Sequence, residues 1–263
     1  NDCEKALTLV EDIEAGEKTL TFNKENQAFD LTGKLSITTD GTFVHLGDIN
    51  ASNIYLKNRY GKIYFSDVVG NVLVDKNSFK CDYNFKNING SLTVGSYLDE
   101  DLVEGGEILV EGNITGDVNI AFTGNIDITG VSSLTKIKNT NGSINIQEVN
   151  GAVDIKTING DINLGKNDSK VGNRVTLETT GKGEIIVYFG SFEYTEDVDS
   201  TITAKKGKIE IYLVENMNKD IKATTTAKLN YLGVDVASKT GTWTEGVAKK
   251  LTINSKANIN IAN

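Results

Sequence analysis

His45 is the only histidine, so any histidine-based triad or imidazole metal site rests on that one residue. It stands between Val44 and Leu46, the inward pair of a candidate strand, and its side chain is expected on the solvent face. Carboxylates offer more. Between Gly95 and Glu107 the chain gathers Asp99, Glu100, Asp101 and Glu104 close to Tyr97. Calcium takes several carboxylate and carbonyl oxygens from flexible loops, but this spacing follows neither the EF-hand order nor the Gly-Gly-x-Gly-x-Asp run of calcium-binding repeats. No metal or cofactor is expected there. Tyr97, Asp99, Glu100, Asp101 and Glu104 are read as a solvated recognition loop.

A second set, Asn119, Asp127, Asn145, Asp154 and Asn163, falls at a fixed offset in successive short units and is expected to form one outward strip. Paired carboxylates on such a strip could cut a polysaccharide. That chemistry also needs a groove with basic and aromatic side chains, which are scarce nearby, so a solvated ladder is expected instead. Tyr55, Tyr60 and Tyr64, and then Tyr188, Phe192 and Tyr194, read as strand surface able to stack on sugars or proteins. The threonines at Thr38-Thr39 and Thr224-Thr225-Thr226 do not recur in register. No phosphate-cradling Gly-rich loop precedes a helix. Cys3 and Cys81 fit no metal or CxxC spacing, and whether they are bridged stays open.

The elements that must position these residues repeat. Asn141-Gly142, Asn150-Gly151 and Asn159-Gly160 open successive units, each glycine followed by Ile or Val at the second position and Ile or Leu at the fourth. Alternation at +2 and +4 marks a strand with one buried face, and the +7 residue (Val149, Ile158) is expected to turn inward after a bend. The frame extends back through Gly116, Gly90, Gly70 and Gly61 to Gly33, and more loosely forward to Leu251/Ile253 and Ile259/Ile261. Such a unit is too short for a βαβ crossover. It suits coils stacked into an all-β solenoid, with an antiparallel β-sandwich joined by Asn-Gly hairpins as the alternative. The frame predicts an N-terminal cap over 1–30, with a helical turn between Lys5 and Ile13, and one repeat domain over 31–263 interrupted at 95–107. Glu215–Trp243 is expected to be irregular.

Composition agrees. Zero proline and 26 glycines suit a chain whose backbone N–H groups are committed to ladders. Hydrophobic content of 38% with only 7% aromatics suits a thin aliphatic core. A net charge of -9, with 27 basic residues never concentrated in a patch, disfavours nucleic acid and anionic lipid. No apolar run is long enough for a membrane helix.

The run from Gly112-Asn-Ile-Thr-Gly116 through Leu164, with Lys208-Ile-Glu-Ile211 and Leu251-Thr-Ile-Asn254, resembles a bacterial adhesin-type domain family of unknown function. The likeness covers roughly residues 40–263. It implies an all-β repeat fold and an extracellular or cell-surface setting, with targeting or anchoring segments outside this chain. It carries over no functional residue. The expectation is a non-enzymatic, cell-surface β-repeat scaffold that adheres to a surface protein or glycan. A polymer-forming scaffold and a carbohydrate-active β-helix are the alternatives.

Overall fold

The computed structural model describes residues 7–10, 19–22, 29–98, 101–166, 174–189, 199–213, 220–243 and 250–262; side chains are described at Ile37 and from Leu46 onward. Every regular element among them is a β-strand. The chain forms two compact units, Asn1–Lys138 and Asn139–Asn263.

The first unit contains β1 (Leu7–Val10), β2 (Thr19–Phe22), β3 (Phe29–Leu46), β4 (Ile49–Val74), β5 (Phe79–Asn89), β6 (Leu92–Val94), β7 (Glu107–Ile114), β8 (Val118–Phe122) and β9 (Asn125–Val131). β10 (Thr135–Asn139) ends at the boundary between the units. Pairing in the first unit is parallel. β1 and β2 lie against β3, β3 against β4, and β4 against both β5 and β6; then β5 pairs β7, β6 pairs β8 and β7 pairs β9. Two parallel ladders therefore run up the stack, and the long strands β3 and β4 each take part in both. Like residues stack in inward columns, as in Ile63, Tyr83, Ile108 and Ile126, or Phe65, Phe85, Val110 and Ile128. The Phe65 and Phe85 rings stack at 5.3 Å.

Corner side chains satisfy backbone groups that the strands leave open. Asp48 Oδ1 accepts the Asp67 N–H at 3.2 Å, and Asn87 Oδ1 accepts the Asn113 N–H at 3.0 Å. Asn71 Oδ1 accepts from Ser91 N–H, Ser91 Oγ from Asp117 N–H, and Asp117 Oδ1 from Leu134 N–H. Asn, Asp and Ser recur at the bends because a short polar side chain reaches the coil above.

The second unit continues with β11 (Ile144–Val149), β12 (Val153–Thr157), β13 (Ile162–Leu164), β14 (Val175–Thr179), β15 (Ile185–Tyr188), β16 (Ser200–Ala204) and β17 (Ile209–Tyr212). It ends with β18 (Asp220–Thr225), β19 (Leu229–Tyr231), β20 (Val234–Asp235), β21 (Thr240–Trp243), β22 (Lys250–Ser255) and β23 (Ile259–Ala262). Its first coils run in parallel, β11–β13–β15–β17 on one side and β12–β14–β16 on the other. Among the described strands of this unit, β18–β21 and β19–β20 pair antiparallel. The fold is an all-β, solenoid-like parallel stack, and the sandwich alternative is excluded by the direction of its ladders.

The glycine column explains the repeat. A Cβ on Gly160 would lie 1.9 Å from the Gly142 carbonyl oxygen, one on Gly183 2.0 Å from that of Gly160, and one on Gly207 1.8 Å from that of Gly183. Only glycine lets the backbones of successive turns approach so closely. Beside it runs an inward column of Thr157, Thr179, Ala204, Ser255 and Thr225. Its hydroxyls hold the turns: Thr157 Oγ1 accepts the Gly160 N–H at 3.1 Å, and Ser255 Oγ accepts the Ala257 N–H at 2.9 Å. Asn139 Oδ1 does the same for Gly142.

Three expectations need correction. Leu7–Val10 is a strand in register with Leu35–Thr38, so the helical turn between Lys5 and Ile13 is replaced by a further rung. Ile158 is 48% exposed, whereas Val149 is buried. Alternation runs unbroken through Val153, Ile155 and Thr157, whose inward hydroxyl binds the turn, so the next residue points outward. Within Glu215–Trp243, the described residues form β18 to β21, a paired closure of the stack and not irregular chain.

Candidate recognition loop

The break at 95–107 is tied down at its base. Gly95, at φ +62, donates its N–H to the Val74 carbonyl at 3.1 Å, and Ser96 N–H bonds Asp101 O at 3.0 Å. Val103, fully buried, takes a rung of its own: its N–H donates to Ala121 O and its carbonyl accepts from Thr123 N–H. Glu104 O accepts the Lys80 N–H below. Gly105 is flat against the Phe122 ring, where a Cβ would lie 1.9 Å from a ring carbon. The second half of the interruption thus belongs to the stack, and at its tip, between Ser96 and Asp101, Tyr97 and Leu98 are described.

Of the five residues expected in the loop, Tyr97, Asp101 and Glu104 are described; Asp99 and Glu100 lie outside the described residues. The Tyr97 ring carries the Lys138 ammonium 4.8 Å from its centre. Asp101 pairs with Lys76 at 2.7 Å and Glu104 with Lys80 at 3.9 Å, both on the surface. These lysines offset the acidity that the sequence suggested, each pair contributing little to stability. Leu98, beside Tyr97, is 84% exposed, the most open of the large apolar side chains among the described residues. No cluster of three or more potential metal ligands occurs among the described residues.

His45 falls in β3, registered with Thr21 and Tyr64, and its side chain lies outside the described residues. Cys81 is buried with Sγ 3.6 Å from the Phe79 carbonyl oxygen, while Cys3 lies outside the described residues. The expected single polar strip does not form. Asn163 Nδ2 donates to Asn145 Oδ1 at 2.7 Å, and their column continues with Ile186 and Glu210. Asp154 stands on the other strand of the coil, in a column with Thr176, Thr201 and Thr252. Threonines therefore do repeat in register, at positions that pattern reading passed over because their spacing along the chain is uneven.

Two aromatic stacks were also missed. Tyr188 and Tyr212 lie face to face at 4.3 Å in adjacent coils, with Tyr212 Oη donating to Glu210 at 3.2 Å. Lys208 bridges Glu184 at 3.1 Å and Glu210 at 3.4 Å. Burial, then the neighbouring Glu210 charge, raises the Tyr212 phenol above its ordinary range. Tyr231 stacks on Trp243 at 3.9 Å in the closing layer. Phe192 and Tyr194, expected beside Tyr188, lie outside the described residues.

With a parallel coil stack, a glycine column and an antiparallel closure in place, comparison with known families is decisive: the family model described as Toastrack DUF4097 matches residues 18–244. The chain belongs to that family. No curated protein and no solved structure matches it. Toastrack is a domain family of unknown function, and membership supports the repeat-type all-β fold without assigning any residue a role. No described helix of this Toastrack chain is long and apolar enough to cross a membrane.

Proposed function

We propose that this protein is a non-enzymatic adhesion module, displayed at a bacterial cell surface or envelope, that uses a stiff β stack to present the Ser96–Asp101 tip to a surface protein or glycan. The observation that carries the reading is the contrast within one loop. Its base is fixed by four backbone hydrogen bonds to the rungs around it, involving Gly95, Lys80 and both polar groups of Val103, while Leu98 is 84% exposed beside the partly buried Tyr97. An open aliphatic side chain beside an aromatic ring already held against Lys138 loses little entropy on binding, which is how small contact patches gain affinity.

The test is binding of the purified protein to a panel of glycans and extracellular-matrix proteins, repeated with the Tyr97→Ala/Leu98→Ser variant. A binder whose affinity falls at least about tenfold in the variant, with the melting temperature unchanged, is the expected result. Absence of any binder, or equal binding by the variant, overturns the reading. Protease accessibility on intact source cells checks the surface location.

A further inference from the structure

The second unit stacks its coils out of chain order. Going along the ladder, Ile202 of β16 registers with Ile253 of β22, and Ile253 with Ala223 of β18. On the opposite side Ile209 of β17 registers with Ile259 of β23, and Ile259 with Leu229 of β19. The β22–β23 coil therefore sits between two coils that precede it in the chain. It is bonded on both flanks outside the strands as well. Ser255 Oγ donates to Gly207 O at 2.8 Å, Ile209 N–H to Asn258 O at 3.0 Å and Leu213 N–H to Ala262 O at 2.7 Å on one flank. Thr226 Oγ1 donates to Lys256 O at 2.7 Å, Lys228 N–H to Asn258 Oδ1 at 3.2 Å and Leu232 N–H to Ile261 O at 2.7 Å on the other. Leu251, Ile253, Ile259 and Ile261 are all at most 1% exposed.

We propose that the gap between the β16–β17 and β18–β19 coils is a strand-accepting site, and that segment 250–262 of a second copy of this chain occupies it in place of the chain's own. Everything the site recognises is carried by the segment. It takes two parallel backbone ladders, aliphatic side chains in the order Leu-x-Ile-x-Ser and then Ile-x-Ile, and an asparagine amide at the turn between them. Those features are identical in every copy. A gap left unfilled presents two facing rows of unpaired N–H and C=O groups, the strongest template for strand addition that a sheet can offer. The chain's own segment is favoured by its tether, at an effective concentration of order millimolar, so exchange becomes appreciable as protein concentration approaches that value. The resulting dimers or open chains form independently of the adhesion reading, since the tip at Ser96–Asp101 belongs to the other unit.

Thr201 and Thr252 register across this gap on the partly exposed outward side. Neighbouring strands lie about 4.8 Å apart, within disulfide reach. Full-length Thr201→Cys and full-length Thr252→Cys, each in a Cys3→Ser background and carrying tags of different size, are mixed across a concentration series and then oxidised. The expected result is a covalent heterodimer, at least fivefold above that from mixing Thr201→Cys with Thr93→Cys, rising with concentration and suppressed by excess synthetic peptide 250–262. The Thr201→Cys/Thr252→Cys double variant should close its own bridge at low concentration. If it closes while the mixed single variants give no more heterodimer than the control, exchange is overturned. If it fails to close, the register itself is wrong and the site falls with it.

Discussion

At the scale of single residues, a hydrogen bond runs from Tyr55 Oη to Asp75, twenty positions along the chain and one coil away. That bond, followed by burial and by the Asp75 charge, raises the Tyr55 phenol to about 12. Burial pushes the Asp75 carboxyl up, but the Tyr55 and Asn77 hydrogen bonds and the Lys57 charge outweigh it and hold the group below 3.8. The stability linked to Asp75 is present above its ordinary range and lost as pH falls through its depressed folded value. That linked to Tyr55 is present below about pH 10 and lost as pH rises through about 12. Tyr55→Phe should therefore remove one phenol titrating near pH 12 from the ultraviolet titration and shift the acid unfolding midpoint to higher pH. A second residue-level prediction concerns Thr157, whose hydroxyl accepts the Gly160 N–H. Thr157→Ala leaves that buried group unsatisfied and should cost about 1 kcal/mol in urea denaturation, while Thr157→Ser should recover most of it. The outward placement of Tyr55 was legible from its position between Ile54 and Leu56. Its partner was not, because nothing in a nine-residue pattern says how many residues complete a coil.

At the scale of the element, the decisive quantity is the turn. Side-chain contacts between successive coils span 18 residues at Asn145–Asn163, 20 at Asp67–Asn87 and 26 at Asn89–Thr115. The longest span, Asn89–Thr115, is the one that contains the interruption at 95–107. Alternating Ile, Val and Leu were enough to place nearly all the inward columns. The turn chemistry was only half visible: glycine stood out, whereas the Thr, Ser or Asn that begins each turn looked like ordinary strand. Ile158 was misplaced for that reason. Gly160→Ala forces a methyl group onto the Gly142 carbonyl and should cost about 2–3 kcal/mol. Gly47→Ala, with nothing within 4 Å, should stay within about 0.5 kcal/mol. Paired chemical-denaturation midpoints check both. The recognition loop shows the same division. Its existence was readable as a break in the frame, but its lysine partners Lys76 and Lys80 come from an earlier coil, and Val103 and Gly105 are packed as a rung that breaks the pattern.

At the scale of the molecule, stability in a stack accumulates from neighbour to neighbour, and an end coil ordinarily frays first. The second unit predicts the reverse for β22–β23. The amides of Leu251, Ile253, Ile259 and Ile261 should exchange as slowly as those of Ile202 and Ile211, and much more slowly than those of Val234 and Asp235, when followed by native-state hydrogen exchange. Rapid exchange at 250–262 would contradict the two-sided pairing. Leu251/Ile253 and Ile259/Ile261 were recognisable as late repeat units. Their place along the stack was not, because every coil presents the same ladder and chain order carries no information about which slot a coil fills. That arrangement has a consequence for how the protein is made. A ribosome delivers about 5–20 residues per second, so β18–β19 emerge seconds before the coil that separates them from β16–β17. During that interval a nascent chain that closed its rungs in order of arrival would join β16–β17 directly to β18–β19, a pairing that must come apart before the finished fold can form. A chain that closed in that order would complete this unit only after β16–β17 and β18–β19 had parted again to admit β22–β23.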